Sequence, residues 1–136
     1  MQPVSFFISC ADGHKMPVYG WLPQEAPIAV LHIAHGMAEY GERYKDIASF
    51  FVAQNIAVYA HDQRGHGKAV ASVKEQGITE LNWFYQQVSD IDACIAHHRQ
   101  THPGKKIFLL GHSMGSFLAQ RYFQLFGNNI DGLILS

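Results

Sequence analysis

The stretch "KKIFLLGHSMGSF", residues 105 to 117, constrains the fold more than any other part of the chain. An apolar run, Ile107 to Leu110, meets Gly111, and "SFLAQRYFQLF" then repeats its apolar residues at helical spacing. That is a buried strand passing into a helix with almost no connection between them. A strand can enter a helix through G-x-S-x-G only by a sharp turn, which lifts the serine above the sheet and packs so tightly that glycine is needed on either side. Gly111 and Gly115 meet that demand around Ser113. The helix start also aims backbone N–H groups and its positive dipole end at the same point. A serine in this position can merely cap the helix, and the bare motif does not distinguish a cap from a nucleophile. The strand before it and the helix after it favour the nucleophile.

Two more β-rich runs, "APIAVLHIAHG" and "IAVYAHD", also end at polar or glycine-bearing turns, and "IDGLILS" opens another. At the start of the chain "PVSFFIS" and "KMPVYGWLP" flank Asp12-Gly13, a hairpin signal. "RYKDIASFFVAQN" places Tyr44, Ile47, Phe50 and Phe51 at helical spacing, and Leu81, Phe84, Val88, Ile91 and Ile95 mark one face of a longer helix that "THPG" stops. Trp83, Phe84 and Tyr85 are expected to pack that helix onto a sheet. Strands alternating with helices after an initial hairpin predict an α/β fold: a mostly parallel sheet with helices on both faces and functional loops at the carboxyl ends of the strands. Those ends are His35-Gly36, Asp62 to Gly67, and Gly111 to Gly115, so all three are expected along one edge. No repeat, linker or internal domain boundary is visible.

Other classes of function are excluded by composition. Hydrophobic residues make up 48% of the chain, enough for a core and too many for a disordered segment. A formal charge of -1 without basic runs offers no nucleic-acid groove. Cys10 and Cys94 read as separate buried thiols. The first residues lack the basic and apolar regions of a signal peptide, and no run reaches transmembrane length. A soluble, cytoplasmic chain is the expectation. Among nine histidines, the adjacent His97 and His98 point to different helix faces, and His61 and His66 have no zinc-ligand spacing, so no metal site is expected. Asp62, Arg64 and His66 read chiefly as braces of a turn.

The segment "HIAHGMAEYGERY" brings a second backbone to the serine turn. Its strand ends at His35-Gly36, which allows the N–H groups of Met37 and Met114 to form an oxyanion hole. His35 is expected to orient that loop, and His112 to serve packing or hydrogen bonding. At this point "HGMAEYGERY", "AHDQRGHGKA" and "LLGHSMGS" together resemble, in order and spacing, α/β-hydrolases of the monoacylglycerol lipase and lysophospholipase type, in the serine aminopeptidase S33-like group. The resemblance runs over nearly the whole chain. It implies an eight-stranded hydrolase sheet, ester hydrolysis by a Ser–Asp–His triad with Ser113 as nucleophile, no cofactor, and an ester or lipid substrate. Ala38 and Ser116 stand where many relatives have glycine, Tyr40 where they have histidine, and Ala69 where they have serine, which bears on substrate fit.

In α/β-hydrolases the acid and the histidine follow the serine. After Ser113 this chain has only Asp131 as an acid, at the wrong end of its strand, and no histidine. The expectation is therefore that residues 1–136 are the N-terminal part of a single α/β-hydrolase domain, without the cap region and the C-terminal strands. The remainder would lie in a longer chain or in a second chain. The alternative is a non-catalytic module that binds a partner through an open sheet edge.

Overall fold

The computed structural model describes all 136 residues. Strands β1 (Gln2–Ser9), β2 (Lys15–Leu22), β3 (Ala29–Ala34), β4 (Ile56–His61), β5 (Lys106–Gly111) and β6 (Gly132–Leu135) form one sheet in the order β1-β2-β4-β3-β5-β6. β1 pairs antiparallel with β2, and β2 with β4; β4, β3, β5 and β6 run parallel. The hairpin lies where Asp12-Gly13 predicts it, with Ser9 opposite Lys15 and Gly13 at φ +85°. β3 is buried along its whole length, as the continuous apolar run requires of a central parallel strand.

Three helices flank the sheet: α1 (Lys45–Val52), α2 (Trp83–Thr101) and α3 (Met114–Phe126). Successive residues of β3 point to opposite faces, and the two cores follow from that alternation. Val30 and Ala34 join Ile91, Ile95, Leu109, Leu118 and Tyr122 beneath α2 and α3. Leu31 and Ile33 join Tyr19, Trp21, Ala48 and Val58 beneath α1. Each fully buried Leu or Ile contributes about 1.5–3 kcal/mol by leaving water.

Three sequence expectations need correction. α2 begins at Trp83, so Leu81 is not on its inner face; it is fully exposed in the preceding turn, where Trp83 N–H donates to the Glu80 carbonyl. In α1 the residues facing the sheet are Ala48 and Val52, whereas Ile47 and Phe50 are exposed. The small side chain of Ala48 lets the helix lie close to the sheet, and the bulky residues on either side turn outward. Trp83 and Phe84 do pack against the core, but Tyr85 is exposed. Cys10 and Cys94 are buried free thiols. No helix is long and apolar enough to cross a membrane.

Candidate active site

The parallel pairing of β4, β3 and β5 brings their carboxyl ends side by side, so the three glycine-bearing segments meet on one edge as expected. Hydrogen bonds join them: His112 N–H donates to the Ala34 carbonyl at 3.0 Å, Gln63 N–H to His35 Nε2 at 3.0 Å, and Gln63 Nε2 to the His35 carbonyl at 2.6 Å.

Ser113 sits exposed between β5 and α3 at φ 51°, ψ −118°. A non-glycine residue held there costs about 1–3 kcal/mol, which the surrounding packing must offset. The flanking glycines show why the turn cannot relax. A Cβ on Gly111 would meet the Gly115 carbonyl and the Ser116 Cα, and one on Gly115 would meet the carbonyls of Ala34 and His35. The turn is also tied to β6, since Ser113 N–H donates to the Ser136 carbonyl at 2.8 Å and Ser136 N–H to the Gly111 carbonyl at 2.9 Å. Ser116 Oγ turns back to the Ser113 carbonyl at 2.6 Å.

The loop after β3 touches this turn directly: a Cβ on Gly36 would lie 3.2 Å from the Ser113 Cβ. Met37 follows, largely exposed, and its N–H donates to no group within the chain. Met114 opens α3, where a helix leaves its N–H groups without intrahelical acceptors. Ala38 takes φ 60°, in the left-handed region that favours glycine.

Two side chains fix the loop. His35 is buried; its Nδ1 lies 2.7 Å from the Gly36 carbonyl. Because Nε2 accepts from Gln63, Nδ1 is the protonated nitrogen. Burial pushes the His35 pKa down to about 4 against the opposing pull of that carbonyl, so the ring is neutral at pH 7. Glu39, which no sequence motif singles out, accepts from Gly36 N–H at 2.7 Å and from Tyr44 O–H at 2.8 Å, and pairs with Arg43 at 3.2 Å. Burial raises its pKa, but these hydrogen bonds and the charges nearby outweigh it and hold the carboxyl below its ordinary value.

The turn after β4 is a brace, as its residues suggest. Asp62 accepts from Gly41 N–H at 2.7 Å, Tyr19 O–H at 2.9 Å and Lys68 N–H at 2.7 Å. Arg64 holds Asp90 on α2 and Asp12 in the hairpin turn. His66 packs edge-on against His35. The polar groups near Ser113 are otherwise engaged: His112 Nδ1 lies 3.2 Å from Ser136 Oγ, and Glu39 is held as described. Asp131 accepts from Ile107 N–H at the far end of the sheet. The fold also assembles a group that the spacing hid, for ring nitrogens of His32 and His61 and the Cys94 sulfur lie within 4.8 Å of one another.

Residues 25–136 match the family described as "Serine aminopeptidase, S33". The chain is 32% identical over 109 residues to "Monoglyceride lipase" of Homo sapiens, covering 80% of this chain and 34% of that protein. It is 33% identical over 116 residues to "Monoacylglycerol lipase" of Mycolicibacterium smegmatis, covering 85% of this chain and 40% of that protein. The chain thus spans well under half the length of these relatives. Among solved structures, a carboxyl esterase from Bacillus coagulans superposes with a TM-score of 0.87 at 25% identity, over 99% of this chain and 44% of the esterase. A soluble variant of monoglyceride lipase from Saccharomyces cerevisiae gives 0.79 at 23% identity, with the same coverage of 99% and 44%, and so speaks to the fold. The six strands and their helices are the N-terminal portion of the α/β-hydrolase fold, and the chain belongs to the serine aminopeptidase S33 family.

Proposed function

We propose that residues 1–136 are the N-terminal part of a single α/β-hydrolase domain and carry the nucleophile of a serine ester hydrolase. The observation that carries this reading is the strained, exposed backbone of Ser113 at the strand-to-helix turn. Ser113 Oγ attacks the ester carbonyl, and the N–H groups of Met37 and Met114 receive the oxyanion. One such donor is worth about 3 kcal/mol in the transition state. A histidine outside residues 1–136, steadied by an acid, takes the serine proton and returns it to the departing alcohol. Water then releases the acyl group by the same steps in reverse. No cofactor enters. The substrate is a monoacylglycerol or lysophospholipid, by analogy with the lipases the chain is similar to, and the site is cytoplasmic. His35, Gly36, Gly111, His112 and Gly115 support the two loops.

With no base, such a site keeps only the catalysis of its oxyanion hole and binding, roughly 10³–10⁴-fold over water. The 136-residue piece is therefore nearly inactive on its own. The alternative reading is a non-catalytic module that binds a partner through an open sheet edge. Hydrolysis of a monoacylglycerol series separates the two. The complete protein turns over the series and loses that activity with Ser113→Ala, while the isolated piece shows almost none. A complete protein that is inactive, or active without Ser113, removes the hydrolase reading.

A further inference from the structure

Beneath α2, away from Ser113, three imidazoles form a row inside the core. His32 Nε2 lies 2.9 Å from His61 Nδ1, and His32 Nδ1 lies 2.9 Å from His98 Nε2. His32, His61 and His98 are fully buried, and so are Cys94 and Met16 beside them. Each neutral imidazole brings one donor and one acceptor. Three rings joined by two hydrogen bonds therefore leave one N–H and one lone pair over. The structure shows them at the two ends of the row, because His61 Nε2 and His98 Nδ1 have no partner. Buried polar groups are rarely left this way. One sulfur completes the group, since Cys94 Sγ and a nitrogen from each of His32 and His61 lie within 4.8 Å of one another. The Met16 thioether is 3.9 Å from Cys94 Sγ.

We propose that His32, His61 and Cys94 hold a thiophilic metal ion of the zinc(II) or copper(I) class, with Met16 as the fourth neighbour and His98 as the outer support. Two imidazoles with a thiolate and a thioether select such ions over magnesium or calcium. The ion takes the place of the proton shared by His32 Nε2 and His61 Nδ1. Two metal–nitrogen bonds of about 2.0 Å meeting tetrahedrally set their nitrogens about 3.3 Å apart, so the present 2.9 Å need open only slightly. His61 then carries its hydrogen on Nε2, and Cys94 releases its proton to solvent. His32 donates from Nδ1 to His98, the usual outer-shell arrangement that fixes a ligating imidazole. The ligands are separated by 29 residues between His32 and His61 and lie on different elements, so no sequence spacing announces them. Because the site is closed, the ion enters while the chain folds.

The test is refolding of the whole chain from denaturant with cobalt(II), which reports zinc-type sites, and in parallel with copper(I). The expected result is one ion per chain with a thiolate-to-metal charge-transfer band. Cys94→Ser abolishes that band, Cys10→Ser leaves it, and His98→Asn weakens binding about 10–100-fold. Far-UV circular dichroism checks that each variant folds, and Cys94→Ala serves if Cys94→Ser does not. Should both Cys94 variants fail to fold, His61→Asn is judged by the same band. Surface histidines give cobalt no thiolate band, so binding without one overturns the proposal. So does a band that survives loss of Cys94, or one that follows Cys10.

Discussion

Gly36 N–H donates to Glu39 Oε2 at 2.7 Å, three residues ahead in the same loop. That bond closes the turn carrying Met37 and Ala38, and Tyr44 O–H steadies the acceptor from the other side at 2.8 Å. Removing the carboxylate leaves a partly buried N–H unpaired. Glu39→Ala is expected to lower stability by about 1–3 kcal/mol, and Glu39→Gln by less because it keeps an acceptor. Urea denaturation of both variants checks the order. Equal losses would show that the side chain's bulk, not its hydrogen bonding, matters here.

The Ser113 turn makes opposite demands on neighbouring positions. Glycine at 113 relieves the backbone strain, so Ser113→Gly raises stability by about 1 kcal/mol while Ser113→Ala leaves the strain in place. Gly115→Ala drives a Cβ into the backbone of β3 and its following residue and costs ~3 kcal/mol or more. Thermal melting of the three variants gives the ranking, and a Ser113→Gly protein no more stable than Ser113→Ala would show that the turn is unstrained.

Arg64 links two parts of the chain unequally. It meets the buried Asp90 through Nε at 2.7 Å and a second nitrogen at 2.9 Å, whereas Asp12 is largely exposed. Arg64→Ala strands the Asp90 charge and is expected to cost about 3–5 kcal/mol. Asp12→Ala removes a screened pair and costs under about 1 kcal/mol. Arg64→Lys falls between, since an ammonium cannot span both carboxylates as a fork does. Denaturant midpoints of the three variants test this spacing.

Buried histidines make the fold acid-sensitive. Burial pushes the pKa of both His35 and His61 from the ordinary 6.5 down to about 4, and His32 and His98 are also driven well below it. Between those values the unfolded chain binds protons that the folded chain refuses. Stability is therefore full above about pH 6.5 and falls as pH drops toward 4, by about 3 kcal/mol for His35, which stands apart from the His32–His61–Cys94 group. Denaturation midpoints that stay level from pH 7 to pH 4.5 would contradict this.

The sequence reveals most where neighbours in the chain are neighbours in space. The strand, glycine, serine and helix at 107–118 are read directly, as are the hairpin at Asp12-Gly13 and the convergence of three strand ends. It misleads where size and burial part company: Ile47 and Phe50 repeat at helical spacing yet face solvent, because Ala48 makes the close contact. Leu81 fits the period of α2 without belonging to it. It is silent where partners are distant, as with His32, His61 and His98, whose contacts span 29 and 66 residues. Glu39 was hidden for a different reason, since nothing local tells a loop-closing carboxylate from a solvated one.

Everything proposed for this site turns on Ser113 being a nucleophile whose base lies outside residues 1–136. The most direct measurement is fluorophosphonate labelling of the protein as its source makes it, with intact mass and peptide mapping of the labelled species. A single probe is expected on Ser113, carried by a species well above 15.2 kDa or by an assembly containing a second chain. A protein active on esters yet labelled elsewhere, or fully labelled on Ser113 as an isolated 15.2 kDa chain, would contradict it.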